Sequence, residues 1–199
     1  MIQNIWAVGR NYVEHAKELG NAASGATEDP MIFLKAGSSI VPNGGRFAMP
    51  KFTSDIHHEC EVAFRFGPTL KFEEMTLALD LTARKVQTKL KNAGHPWTLA
   101  KSFRASCPIG PFVAMPSDPQ NLRFVLKVNG EIRQNGNTSD MVHSVEKLRL
   151  YVTDRFPVVP GDLLLTGTPK GVALLRAGDR IEAEIPGVLT ATWDVDASS

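Results

Sequence analysis

His57-His58-Glu59-Cys60-Glu61-Val62-Ala63-Phe64-Arg65-Phe66-Gly67 is a run of mostly apolar and aromatic residues closed by a glycine, a pattern typical of a β-strand. Side chains alternate faces along a strand, so Glu59 and Glu61 are expected to project side by side. Cys60 and Val62 are then expected to face the opposite layer. Two adjacent carboxylates repel unless a cation lies between them, and oxygen ligands suit Mg²⁺ or Mn²⁺. Taken alone, however, such a pair is more typical of the solvent-exposed face of an antiparallel strand.

The composition is that of an ordinary globular protein. With 199 residues, 43% of them hydrophobic and 22% charged, we expect a single domain over residues 1–199 with a substantial core. The formal net charge of +1 predicts neither a nucleic-acid partner nor binding to an acidic membrane. Cys60 and Cys107 are expected to be reduced thiols. Without an evident signal peptide or membrane-length apolar run, we expect a cytoplasmic protein.

Short strands separated by turns dominate the predicted secondary structure. The predicted strands outside the opening run are residues 4–8, 31–35, 112–115, 122–128, 131–134, 163–165 and 180–185, and the predicted helices are 12–19 and 142–154. Residues 20–29 and 37–50 are predicted loops, and Asn129-Gly130 predicts a hairpin turn. Residues 73–93 have helical spacing, although 76–81 is also compatible with a strand. The prediction is a mixed, β-rich α+β fold with a few short helices.

Asp80 is a lone acid within an apolar run. A buried carboxylate needs a partner, because an isolated one is costly or becomes protonated. A metal ion shared with Glu59 and Glu61 would supply that partner. The alternative is pairing with Arg84 or capping of a helix near Thr82.

Two further candidates for chemistry are a histidine–glutamate pair and a lysine. His15 and Glu18 lie three residues apart on the predicted helix and share one face, so the carboxylate can orient the imidazole as a general base. An exposed helical pair has the same spacing and is more common. Lys101 follows apolar residues and either presents its charge to an anionic substrate or lies on the surface. Phosphate-loop and nucleophile-elbow motifs are absent from the sequence.

Several short motifs occur in a fixed order between Val8 and about Ile185. They are Gly9-Arg10-Asn11-Tyr12 with His15 and Glu18, Phe33-Leu34-Lys35, His57 to Glu61, Leu79 to Arg84 with Gln87, Pro96 to Phe103, Val128 to Glu131 with Gln134, Pro160-Gly161-Asp162, and Thr166 to Pro169. Together they resemble the fumarylacetoacetate hydrolase family, particularly its acylpyruvate hydrolase and oxaloacetate decarboxylase branch. The resemblance implies a mixed β-sandwich roll that commonly assembles as a homodimer.

The resemblance also implies roles for individual residues. His15 and Glu18 match the catalytic dyad of the family, on a segment that becomes ordered as a lid when ligand binds. Lys101 matches the active-site lysine. The implied ligands of Mg²⁺ or Mn²⁺ are three carboxylates: Glu59, Glu61 and Asp80. The implied substrate contacts are Arg10, Lys35, Gln87 and Thr168.

The implied substrate is a small keto acid. We favour metal-dependent hydrolysis of the C–C bond of a 2,4-diketo acid (an acylpyruvate such as acetylpyruvate or fumarylpyruvate), which yields pyruvate and a carboxylic acid. In this reaction His15 would activate a water molecule and Lys101 would stabilise the developing oxyanion. Oxaloacetate decarboxylation and isomerisation of a keto acid are alternatives, because both use the same enolate chemistry at a metal.

Two positions depart from the family pattern. Only twelve residues separate Gly67 from Asp80, where relatives usually carry a longer segment, and Lys85 stands where an acid is usual. The short segment suggests an alternative of a different class, a non-catalytic protein that binds a metal or a ligand. The joint presence of His15, Glu18 and Lys101 favours an enzyme.

Overall fold

A computed structural model describes residues 1–18, 20, 25 and 27–196 of the chain. The strands are β1 (Asn4–Gly9), β2 (Met31–Ala36), β3 (Ile40–Val41), β4 (Arg46–Phe47), β5 (Ile56–His58), β6 (Cys60–Phe66), β7 (Phe72–Leu79), β8 (Thr82–Ala83), β9 (Cys107–Pro108), β10 (Val113–Ala114), β11 (Arg123–Val128), β12 (Glu131–Asn137), β13 (Leu163–Leu165), β14 (Ala173–Leu174), β15 (Arg180–Ile185) and β16 (Leu189–Val195). The helices are α1 (Val13–Glu18), α2 (Arg84–Asn92), α3 (Thr98–Lys101) and α4 (Val145–Arg155). Short 3₁₀ turns cover Gly37–Ser39 and Thr138–Asp140.

Two larger sheets enclose the main core. The first has the strand order β10-β7-β6-β13-β1-β2 and the second has the order β12-β11-β15-β16-β4. One continuous apolar cluster contains Phe64 and Leu77 from the first sheet together with Phe124, Ile181 and Trp193 from the second. The two sheets therefore pack face to face, which confirms the predicted β-rich mixed fold. Smaller sheets, β14-β5-β8 and β3-β9, flank this sandwich.

Most predicted strands are confirmed, and some boundaries are corrected. The strands at 163–165 and 180–185 agree with the structure, and Asn129 and Gly130 both have positive φ between the antiparallel strands β11 and β12. Helix α4 begins at Val145 instead of 142, because the Ser144 hydroxyl accepts the Lys147 amide at 3.2 Å and caps the helix there. The predicted loop at 37–50 contains β3, β4 and a 3₁₀ turn.

The predicted helix at 12–19 corresponds to α1, which ends at Glu18 in the structure. Its predicted last residue, Leu19, lies outside the described residues. The same holds for positions 21–24 and 26 of the predicted surface loop at 20–29. None of the described helices has both the length and the apolar character needed to cross a membrane.

The helical prediction for residues 73–93 is wrong in its first half. Strand β7 extends to Leu79, β8 follows, and the helix begins only at Arg84. Every residue from Met75 to Asp80 is buried. A strand buried on both faces is a continuous apolar run, and such a run contains the same residue types as a buried helix. Pairing with β6 decides in favour of the strand, as the alternative for 76–81 anticipated.

The short segment after Gly67 is a tight hairpin. The Gly67 amide donates to the Lys71 carbonyl at 2.8 Å, and Leu70 adopts a positive φ of 56° in the turn. The chain then returns along β6 as β7 and reaches Asp80 directly. The shortened segment therefore leaves the backbone path to Asp80 continuous.

Asp162 links the starts of two parallel neighbours, β1 and β13. Its carboxylate is fully buried and accepts hydrogen bonds from the Asn4 amide at 3.0 Å and from the Trp6 indole at 3.1 Å. The Asn4 side chain and the Val159 amide donate to it as well. Its removal would leave the buried Trp6 indole and the partly buried donors of Asn4 and Val159 without this acceptor.

We therefore expect Asp162→Ala to lower the free energy of unfolding by about 3 kcal/mol, the typical cost of breaking a buried hydrogen-bonded charge. Urea denaturation measures this change. The matched control is Asp154→Ala, on the exposed face of α4, where a change within about 0.5 kcal/mol is expected. Equal unfolding midpoints for the two variants would show that the Asp162 network is not structural.

Candidate active site

The carboxylates of the opening stretch lie where the chain passes from one sheet to another. Glu59 falls between β5 of the three-stranded sheet and β6 of the six-stranded sheet, so the prediction of one continuous strand is wrong at this residue. Cys60 and Val62 pack in the core, as predicted. Glu59 and Glu61 are only 4% and 1% exposed, which excludes the solvent-exposed alternative.

Asp80 joins this pair at the end of β7. Its amide donates to the Glu59 carbonyl at 2.8 Å, so β6 and β7 bring the two segments together. One carboxylate oxygen from each of Glu59, Glu61 and Asp80 lies within 4.8 Å of the other two. The structure thus gathers three buried acids at one point.

Lys101 is embedded in this cluster. Its ammonium donates to Glu59 Oε2 at 2.7 Å, to Asp80 Oδ2 at 2.5 Å and to Thr82 Oγ1 at 2.7 Å. Burial by itself would lower the pKa of Lys101, but the charges of Asp80 and Glu59 outweigh burial and raise it. A lysine ammonium has three donors, and all three are used here.

Lys35 lies behind the carboxylates and not on the cavity wall, where a substrate contact would be. This lysine is fully buried, and its ammonium donates to Asp80 Oδ1 at 2.8 Å and to the backbone carbonyl of Lys101. It therefore holds Asp80 in place and ties β2 to the end of α3. Asp80 is paired with two lysines, whereas the alternative of a pairing with Arg84 is not seen.

Arg84 is a charged group of the site that sequence reasoning assigned only as a possible partner of Asp80. Its guanidinium pairs with Glu59 Oε1 and donates to Gln87 Oε1 at 2.7 Å. Burial alone would raise the pKa of Glu59, but the charges of Lys101 and Arg84 hold it well below the usual range. The i, i+3 spacing of Arg84 and Gln87 at the start of α2 was the available sequence signal.

Glu61 has the opposite electrostatic character. Burial, followed by repulsion from Asp80 and Glu59, raises the pKa of Glu61 well above its usual range. Its Oε2 accepts the Gly167 amide at 2.6 Å. A divalent cation among the three carboxylates would relieve this repulsion, and each engaged oxygen keeps a further lone pair. A compact set of oxygen donors fits Mg²⁺ or Mn²⁺.

Helix α1 places His15 beside the acids. His15 is 7% exposed, and its Nδ1 lies 3.4 Å from Glu18 Oε2. Glu18 is fixed in turn by the Gly171 amide, which lies 3.1 and 3.2 Å from its two oxygens. Burial is the largest effect on His15 and lowers its pKa below 6.5, against the raising effects of Glu59 and Glu18. Burial therefore favours the neutral imidazole, the form that can accept a proton.

Thr168 and Gln134 support the backbone that carries the two glutamates. The Thr168 hydroxyl donates to the Cys60 carbonyl at 2.7 Å and accepts from Gln134 Nε2 at 2.7 Å. Gln134 Oε1 accepts the Cys60 amide at 3.0 Å. These bonds clamp the junction of β5 and β6.

A single cavity of about 60 Å³ unites these groups. Eight of the ten predicted site residues line this cavity. The other two are Glu18, which bonds His15, and Lys35, which lies behind the carboxylates. Arg10 lines the cavity with a positive φ of 60°, a backbone conformation uncommon outside glycine. Sequence reasoning gave no role to the cavity residues Met31, Phe33 and Trp97.

Comparison with known proteins places this site in context. Residues 4–195 match the fumarylacetoacetate (FAA) hydrolase C-terminal family. The chain is 42% identical over 206 residues to the mitochondrial oxaloacetate tautomerase FAHD1 of Bos taurus, covering 98% of this chain and 92% of that protein. It is 39% identical over 199 residues to the oxaloacetate tautomerase YcgM of Escherichia coli strain K12, covering 94% and 90%.

A solved structure shows the same similarity. The fumarylpyruvate hydrolase of Pseudomonas aeruginosa, in complex with Mn²⁺ and pyruvate, superposes with a TM-score of 0.91 at 30% identity. The match covers 99% of this chain and 91% of that one. The order of motifs, the fold and these relatives agree. The chain belongs to the fumarylacetoacetate hydrolase family of enzymes.

Proposed function

We propose that this protein is an Mg²⁺- or Mn²⁺-dependent enzyme that interconverts the enol and keto forms of oxaloacetate. The observation that carries the proposal is that a histidine and three clustered carboxylates line the same cavity. Two relatives at 42% and 39% identity are named oxaloacetate tautomerases, which supports this reaction among those that the site could perform.

The charges of the site suit a dicarboxylate. The three acids are matched by three bonded cations: Lys35, Arg84 and Lys101. A bound divalent ion would add two positive charges, and Arg10 also lines the cavity. Oxaloacetate is a dianion near neutral pH, so its charge complements that of the loaded site.

Glu59, Glu61 and Asp80 would hold the ion. When bound, Mg²⁺ or Mn²⁺ would act as a Lewis acid that stabilises negative charge on the keto oxygen of the substrate. Lys101 and Lys35 orient the carboxylates of Glu59 and Asp80 before any ligand arrives. The protein therefore provides an organised set of donors that needs little rearrangement.

His15 is suited to move the proton. Its Nδ1 is held by Glu18, which leaves the other ring nitrogen for the substrate. In the direction from enol to keto, His15 accepts the proton of the enol hydroxyl and returns one to C3. No proton is gained or lost overall, so one neutral base is sufficient.

Lys101 favours this reaction over the hydrolysis expected from the sequence. Hydrolysis requires a donor for the oxyanion that develops at a second carbonyl. Every N–H of Lys101 is already engaged by Glu59, Asp80 and Thr82. Enolisation involves a single carbonyl and needs no such donor.

Hydrolysis of acylpyruvates remains the second candidate. The pairing of His15 with Glu18 suits activation of water as well as proton transfer at carbon. The relative of known structure is named a fumarylpyruvate hydrolase and holds pyruvate with Mn²⁺. Decarboxylation of oxaloacetate would use the same stabilised enolate. The short hairpin, which suggested a non-catalytic protein, leaves the acid cluster intact.

The decisive assay follows the ultraviolet absorbance of enol-oxaloacetate. With protein and Mg²⁺ present, we expect the absorbance to decay faster than in buffer with Mg²⁺ alone, and EDTA should abolish the acceleration. Acetylpyruvate, tested under the same conditions, should be cleaved more slowly than enol-oxaloacetate is converted to its keto form. Cleavage of acetylpyruvate without any acceleration of oxaloacetate ketonisation would refute the proposal and favour the second candidate.

Metal binding depends on Glu61 in this proposal. We expect Glu61→Gln to weaken Mn²⁺ binding by about 100-fold or more, because a neutral amide replaces a charged ligand in a buried set. Isothermal titration calorimetry with Mn²⁺ measures this affinity independently of activity. Glu131→Gln, at an exposed position of β12, is the matched control and should bind as the parent protein does. Parent-like affinity in Glu61→Gln would refute the assignment of this ligand.

The pH dependence of the reaction tests His15 and Glu18. Because the reaction requires neutral His15, kcat should fall as pH drops through the pKa of His15, which burial holds below its ordinary value. Glu18 raises that pKa, so in Glu18→Gln the acid limb should move to still lower pH. The plateau should also fall, by about 100-fold, since the imidazole loses its orienting partner.

Glu14→Gln is the control for this experiment. Glu14 lies on the same helix but is exposed and pairs with Lys17, so its replacement should leave the acid limb unchanged. An acid limb that moves upward in Glu18→Gln, or does not move, would contradict the proposed role of the pair.

A further inference from the structure

A second cavity adjoins the carboxylate site. Its volume is about 410 Å³, and it runs between residues 31–34 of β2 and residues 95–98 at the start of α3. We call it the β2–α3 groove. Met31, Phe33, Trp97 and Lys101 line both this groove and the cavity at the acids. The two spaces therefore share a wall.

The groove surface is mainly apolar. The rings of Phe33 and Trp97 lie 6.1 Å apart, with Pro96 and Leu34 alongside. Leu34 is 44% exposed on β2, which is an edge strand of the six-stranded sheet. The ammonium group of Lys101 is bonded to the carboxylates of Glu59 and Asp80. An open apolar surface of this kind next to a reactive site favours an apolar ligand.

The inner cavity is the smaller of the two spaces, about 60 Å³ against about 410 Å³ for the groove. A substituent on a substrate held at the acids can extend across the shared wall. Phe33 and Trp97 form that wall, and the groove lies beyond it.

Given the proposed function, we infer that the β2–α3 groove binds the non-reacting end of larger substrates, namely the unbranched aliphatic chain of a 2-keto acid. The keto-carboxylate end lies at the acid cluster, and the chain packs along Phe33, Leu34 and Trp97. The shared wall favours a substrate chain as occupant over a second protein chain, because the groove is continuous with the reacting centre.

The test measures binding of straight-chain 2-keto acids, from pyruvate through 2-oxobutanoate and 2-oxohexanoate, to the Mg²⁺-loaded protein. Trp97 lies in the groove, whereas Trp6 and Trp193 are buried, so intrinsic fluorescence reports occupancy. Each buried methylene should tighten Kd by about three- to fourfold. The three methylenes between pyruvate and 2-oxohexanoate should then tighten Kd by about 30- to 60-fold.

Two variants test whether the gain in affinity per methylene comes from the groove. Leu34→Gln should remove a large part of the gain per methylene. Leu174→Gln, a comparably exposed leucine on β14 outside the groove, should retain it. A Kd that is independent of chain length, as expected if a second protein copy covers the groove, would overturn the inference. An equal gain in Leu34→Gln and the parent protein would do the same.

Failure of the groove and failure of the proposed function give different results. A Kd that depends on the length of the aliphatic chain, without ketonisation of oxaloacetate, would refute the proposed function but support the role of the groove. Ketonisation together with a Kd that is independent of that length would support the proposed function but refute the role of the groove.

Discussion

Three buried carboxylates and the cations that neutralise them are the constraint around which this molecule is organised. An unpaired carboxylate in a protein interior costs several kcal/mol, so Glu59, Glu61 and Asp80 can share one point only if positive charge reaches it. Lys35 arrives from β2 and Lys101 from α3, and both bond Asp80. The same charges therefore join a sheet edge, the end of β7 and a short helix into one wall of the cavity.

This network is better explained by function than by stability. Buried ion pairs often contribute little to stability, because desolvation offsets their attraction, and apolar residues of similar volume would pack as well. The residual cost is visible at Glu61. Burial and two neighbouring acids raise the pKa of Glu61 well above its usual range. Such a group would be relieved by a divalent ion. An arrangement that tolerates repulsion in its core points to a ligand that removes it.

Local patterns in the sequence predicted what depends on local physics. The turn at Asn129-Gly130, the inward face of β6 and the strand at 163–165 follow from φ preferences and side-chain alternation. The order of the motifs identified the family and assembled most of the site. Long-range partners were not accessible in this way. Lys35 was expected to contact substrate, but its partner is an acid 45 positions away, and alternation on a strand specifies a face and not a neighbour.

One cluster can support tautomerisation, decarboxylation and hydrolysis, because each passes through the enolate of a 2-keto acid. These reactions differ in what must stand opposite the reacting carbon. Beyond the metal, hydrolysis needs a water molecule and a donor for a second oxyanion, whereas tautomerisation needs only one base that transfers a proton, the role proposed for His15. Lys101 is already bonded to three acceptors, which favours the proposed tautomerisation. The groups around the acid cluster, more than the cluster itself, distinguish these reactions.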